Sequence, residues 1–170
     1  MSKTLKLFVM LAALLMLFGA CDGEKKPITI EDIPDVYTVE KAESDGCFIE
    51  RNGRNRNIEV LKAFISGVTE GTDAEIMCVS YTKNDDAVLT HISYQSGIFT
   101  VQYDSMRDRT GVQQTYSETY EYLNILELST QTWVVLSNYK DLTASEYEEM
   151  ILSSNSADWI PHFFVCAYAD

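Results

Sequence analysis

The side chains from which chemistry would have to be built are two histidines, four cysteines and 26 acids among 170 residues. His91 stands between Thr90 and Ile92 in an alternating run, and His162 follows Pro161 in an apolar stretch. There is no HExxH pair to hold zinc and no GxSxG to present a serine. Ser-His-Asp and Cys-His sets assemble across a fold rather than along a chain, so spacing alone does not dismiss them. Both histidines nevertheless read as sheet-face residues with satisfied nitrogens. Beyond Cys21 the thiols are Cys47, Cys78 and Cys166. None lies in a CxxC or near a histidine, and Cys78 and Cys166 sit in apolar runs, where cysteine behaves as a small hydrophobe. An exported chain permits one bridge among these three, and the pair is not set by sequence. Asn84-Asp85-Asp86 offers oxygen ligands but lacks the alternating acids, glycine and distal glutamate of a calcium loop. Asp104 and Asp108 flank Arg107 in a stretch of balanced charge. Glu118 with Glu121, and Glu148 with Glu149, are pairs that so many acids produce by accident. Glycine-rich phosphate loops are absent. The sequence assigns no catalytic residue, no metal and no cofactor.

The elements that would position these groups follow from periodicity. The segment from Asp22 to Asp35 (DGEKKPITIEDIPD) is polar, carries Pro27 and Pro34, and reads as a tether with a short extended piece near Ile28. Residues 51–57 (RNGRNRN) are the basic cluster, and their asparagine and glycine content predicts a loop. Asn57 is placed to cap a helix whose apolar face holds Ile58, Leu61, Phe64, Ile65 and Val68, ended by Gly67 or Gly71. The period then changes to two. Residues 75–82, 87–94 and 97–104 read as three strands whose short connections force antiparallel hairpins. Residues 105–114 form a polar loop long enough to be mobile. Residues 115–128 favour one long strand, with a helix as the alternative, and residues 132–139 a further strand. Thr143 or Ser145 is placed to cap a second helix ending near Ser153, and Thr143 with Glu146 has capping-box spacing. A last strand lies within residues 159–168, with Pro161 at its beginning. The expected fold is α+β: an antiparallel sheet of about five or six strands with one or two helices packed on one face.

The first 21 residues give the address. Lys3 and Lys6 precede an unbroken apolar run from Leu7 to Phe18 and the small pair Gly19-Ala20, the pattern of a secretory signal peptide. The run is shorter than the roughly 20 residues that span a bilayer. Leu17-Phe18-Gly19-Ala20-Cys21 resembles the lipobox of bacterial lipoproteins, with Phe18 larger than the residue usual there. The resemblance implies a diacylglyceryl group on the Cys21 thiol, cleavage before it, and membrane attachment through palmitate-type chains; the alternative is ordinary cleavage near Ala20 with Cys21 free or bridged. The expected division is signal peptide 1–20, lipidated cysteine and tether 21–35, and a single α+β domain 36–170. The chain is also similar to small bacterial lipoproteins of unknown function over about residues 35–139. Leu61, Phe64, Val68, Gly71, Ile76, Val79, Tyr81 and Thr82 carry that likeness. It implies a fold and an address, and no catalytic residue.

Two lysines and no acid leave with residues 1–20, so the formal charge falls from −13 to −15. Nucleic acid needs a basic footprint and is excluded as a partner. Ten tyrosines supply rigid amphipathic contact area. The expected role is a non-catalytic binding or interaction module, lipid-anchored on the extracytoplasmic side of the cell membrane, contacting an envelope protein or extracellular ligand. Its candidate surface is an exposed sheet face with Tyr94, Tyr103 and Tyr120 beside Arg51, Arg54 and Arg56. The alternative is an envelope hydrolase with His91 or His162 as its base.

Overall fold

The computed structural model describes residues 28–169; the signal segment, Cys21 and the start of the tether lie outside the described residues. In chain order the elements are helix α1 (Val39–Asp45), strands β1 (Phe48–Arg51) and β2 (Arg54–Arg56), and helix α2 (Ile58–Thr69). Strands β3 (Ala74–Tyr81), β4 (Ala87–Gln95), β5 (Ile98–Asp104), β6 (Thr115–Tyr120), β7 (Tyr122–Glu127) and β8 (Thr132–Ser137) follow. Helix α3 (Ala144–Leu152) and strand β9 (His162–Tyr168) close the series.

These strands make two sheets, one of six strands in the order β2-β1-β3-β4-β5-β6 and one of three in the order β7-β8-β9. The fold is α+β, as the sequence implies, but the larger sheet is mixed rather than antiparallel. β1 runs parallel to β3, with Phe48 opposite Cys78 and Arg51 opposite Tyr81. The crossover that parallel strands require is α2, so β1-α2-β3 is a strand–helix–strand unit. Nor do the helices share one face. The 3-10 turn Ile30–Asp32 and α1 cover one side of the larger sheet, burying Ile33, Tyr37, Val39 and Ala42 against Ile49, Met77, Val79 and Leu89. α2 and the smaller sheet cover the other side, where Leu61, Phe64, Val134, Leu136 and Cys166 meet Phe48, Ile76, Ile92, Phe99 and Val101. Leu61 and Phe64 bury almost fully, each stabilising the docked helix by about 1.5–3 kcal/mol. α3 packs Tyr147 and Met150 on the far side of the smaller sheet.

Local chemistry accounts for the boundaries. Asn52 and Gly53 take φ of +53° and +67°, the left-handed pair of a two-residue hairpin turn, so the basic stretch expected to be a loop is the β1–β2 hairpin. Asn57 occupies the N-cap position of α2 at φ 55°, but its side chain does not cap the helix. Its amide donates instead to the carbonyls of Glu43 and Cys47, fastening α1 to α2. Residues 115–128 are not one strand: the chain breaks at Glu121, and β6 and β7 belong to different sheets. Thr143 and Glu146 do form the capping box that opens α3. The stretch read as a tether is docked from Ile28 onward, with Ile33 buried and Ile28 and Ile30 half-buried against the core.

Candidate functional site

Register decides where the tyrosines point. Tyr94 pairs with Phe99 and Phe99 with Tyr120, and Tyr103 is in phase with Phe99 along β5. All three tyrosines therefore lie on the face covered by α2 and the smaller sheet. Tyr120 is buried and donates to Glu118 at 2.5 Å. Tyr94 packs on Phe99 with centroids 4.7 Å apart, and Tyr103 stacks on Tyr116 at 4.8 Å. The opposite face, open beyond the part that α1 covers, carries Glu75, His91, Ser93, Thr100, Gln102, Ser117 and Thr119, with no tyrosine among them. The arginines lie on the β1–β2 hairpin at the far edge, in phase with Ile49 and so on the other face from the tyrosines. Arg51, Arg54, Arg56, Tyr94, Tyr103 and Tyr120 do not form one surface; that expectation is corrected.

The histidines are also apart. His91 lies 3.2 Å from Glu75 Oε2 and 3.3 Å from Gln102 Oε1 on the open face. His162 Nδ1 is 2.9 Å from the Ile160 carbonyl, beside Tyr147 and Trp159, in a shallow groove it shares with Glu118. Cys47, Cys78 and Cys166 are buried free thiols, and burial pushes all three above the ordinary thiol range. Among the described residues no three His, Cys, Asp or Glu side chains converge as metal ligands. No described helix is long and apolar enough to cross a membrane.

A cleft of about 690 Å³ lies where the β3–β4 turn, the end of β1, the loop after β5 and residues 35–40 meet. Its walls are built from arginine–aspartate pairs. Arg51 donates to both carboxylate oxygens of Asp85, at 2.9 and 2.8 Å. Asp86 accepts the Arg109 side chain at 2.8 Å and the Arg109 backbone amide at 3.1 Å. Those donors, the side chain first, hold the Asp86 carboxyl below its usual range. Arg107 reaches back across the fold, donating to the carbonyls of Ile33 at 2.7 Å and Pro34 at 3.1 Å and to Asp104 at 3.0 Å. The loop expected to be mobile is thus pinned, and Ser105 adds bonds to the carbonyls of Val112 and Gln114. Gly111 permits its closing turn, because a Cβ there would lie 2.1 Å from Asp108 Oδ2.

At the floor of the cleft, Tyr81 is 8 % exposed and its hydroxyl has no hydrogen-bond partner among the described residues. Burial, chiefly, pushes the phenol up to about 12. Orphaned buried hydroxyls are rare, since an unmet bond costs about 1–3 kcal/mol. Tyr37, beside it, is satisfied by Asp45 at 2.8 Å. No sequence motif marks Tyr81 as special; only its position at the end of β3, opposite Arg51, places it here.

A smaller cavity of about 280 Å³ opens between β9 and the larger sheet, and Glu50 enters it beside Phe48, Cys78 and Phe164. Burial raises the Glu50 carboxyl above the ordinary range. The folded state therefore binds this proton more tightly than the unfolded chain, and the stability it contributes is present at low pH and lost as the carboxyl ionises. Glu50→Gln is expected to raise stability at pH 7 by up to about 1 kcal/mol, since the group is only half-buried. The gain should shrink as pH falls through the carboxylate range, as urea unfolding at both pH values would show. An equal gain at pH 4 would place its origin elsewhere.

Fold and cleft together define a two-sheet α+β protein with one arginine-walled cleft at the turn end of its larger sheet. The family described as domain of unknown function DUF4362 matches residues 46–134, just over half of the chain, and the chain belongs to that family. The matched segment holds β1 to β7 with Arg51, Tyr81, Asp85, Asp86, Arg107 and Arg109, while residues 35–40 of the cleft precede it. No curated protein and no solved structure matches the chain.

Proposed function

We propose that the protein is a non-catalytic binding module, held at the extracytoplasmic face of the cell membrane by lipid on Cys21, which receives a ligand or an envelope partner in the Tyr81 cleft. The observation that carries this reading is Tyr81, which lines a cleft within the volume range of ligand sites and whose buried hydroxyl has no partner among the described residues. The pinned arginine–aspartate walls support it, because a preformed site loses little ordering entropy on binding. The address rests on the lipobox pattern ending at Cys21.

Two measurements on the full chain in its host test the two halves. Metabolic labelling with an alkyne palmitate should mark the wild type and leave Cys21→Ala unmarked; an unlabelled wild type in the soluble fraction overturns the anchor. A photo-cross-linking residue at Val36, 81 % exposed beside the cleft, should trap one dominant adduct. The same residue at Leu152, 82 % exposed on α3, serves as the remote control. Equal adducts from both positions would remove the cleft from consideration.

A further inference from the structure

We infer that the cleft is built to receive an organic cation, an aliphatic ammonium or guanidinium group, carried either by a free amine or by an exposed lysine or arginine side chain of a peptide. This rests on the cleft being the binding site and names what it binds.

The inference follows from which charges in the cleft already have partners. All three guanidinium groups of the wall do: Arg51 is held by Asp85, Arg109 by Asp86, and Arg107 by Asp104 and two carbonyls. Two carboxylates do not. Asp35 and Glu40, both exposed at the rim on either side of Tyr37, have no hydrogen bond or ion pair among the described residues. An anionic ligand would meet arginines whose charge is already balanced by aspartates, and two uncompensated acids beside them. A cation finds two carboxylates still without a partner among the described residues.

The second observation is independent of the acids. Tyr81, more than nine-tenths buried, lines the same cleft, and its buried hydroxyl has no partner among the described residues. With a small shift of the side chain that brings it to the cleft surface, this hydroxyl can accept an N–H from an ammonium or guanidinium group, which has donors and no acceptor to offer. The formal charge of −13 adds long-range attraction for a cation and repulsion for an anion.

The test is calorimetric titration of the full chain in neutral detergent. Agmatine serves as a free amine, Nα-acetyl-lysine methylamide as a side-chain mimic, Nα-acetyl-norleucine methylamide as its neutral isostere, and glutarate as an anion. Saturable one-site binding is expected from at least one cation and from neither control. Preference for agmatine assigns a free amine, and preference for the lysine mimic assigns a peptide side chain. Asp35→Asn and Glu40→Gln should each weaken binding about fivefold. Tyr81→Phe, which keeps the ring and therefore the packing, should weaken it to a similar degree. Glu148→Gln, on α3, should change nothing. Glutarate binding without cation binding, cation binding unmoved by the three cleft variants, or no saturable cation binding would each overturn the inference. If Val36 still traps a dominant adduct in such a case, the cleft remains a binding site and only its cation preference is lost.

Discussion

Replacing Phe99 with alanine is expected to destabilise the protein by about 3–5 kcal/mol, the range for emptying a fully buried aromatic site. Phe99 is 1 % exposed and lies where the larger sheet, α2 and the smaller sheet converge. Its ring touches Tyr94 across β4 and stands opposite Tyr120 across β6. Truncation would leave a cavity walled by strands from two sheets, and hydrogen-bonded sheets collapse poorly into such a space. In urea the unfolding midpoint should fall with an unchanged slope. Phe99→Leu, which fills most of the volume, should lose clearly less. A loss below about 1 kcal/mol for the alanine variant would mean that the two sheets do not meet over Phe99.

The second large effect belongs to Arg107. Its side chain is 11 % exposed, and Asp104, its ionic partner, is 13 % exposed. Arg107→Ala removes three donated hydrogen bonds and leaves a nearly buried carboxylate and two carbonyls without them. The expected loss is about 2–4 kcal/mol, most of it from the acceptors left behind. Because Arg107 holds the chain at Ile33 and Pro34, amide exchange should rise selectively over residues 30–37. Lysine cannot reproduce the planar fork that reaches three acceptors at once. Arg107→Lys should therefore recover less than half of the loss, and full recovery would show that a single positive charge suffices.

Much of this architecture was readable in the sequence where one physical signal dominated. The change of period from 3.6 to two at about residue 74, with connections too short for a crossover, located β3, β4 and β5 to within a residue or two. The Thr143–Glu146 spacing located α3. What escaped was carried by weak or misleading signals. α1 buries only Val39 and Ala42 along its own face, too little for a helical stripe. β2 is Arg-Asn-Arg, polar on both sides, although Asn52-Gly53 was the hairpin signal that could have found it. Parallel pairing of β1 with β3 is set by a helix packing back on the sheet, which no local pattern states. The tyrosines show the limit most clearly: alternation correctly groups Tyr94, Tyr103 and Tyr120, but it does not say which face becomes covered. Phe99 and Val101 share their phase, and that was the available clue. The cleft itself joins segments some seventy residues apart, from Asp35 to Arg109, through side-chain bonds that spacing does not encode.

The placement of β9 has a consequence for how the chain is made. Its strand completes the smaller sheet, and its Ala167 carbonyl accepts the Asn55 amide at 2.6 Å, joining the hairpin near the start of the fold to the final strand. During synthesis, β8 waits for residues 162–168 with Val134, Val135 and Leu136 open along one edge. At ordinary elongation rates the delay is on the order of a few seconds. A nascent chain exposing a bare β8 edge is open to pairing with its neighbours, so translation or export that stalls between residues 140 and 160 should yield aggregates rather than a truncated fold.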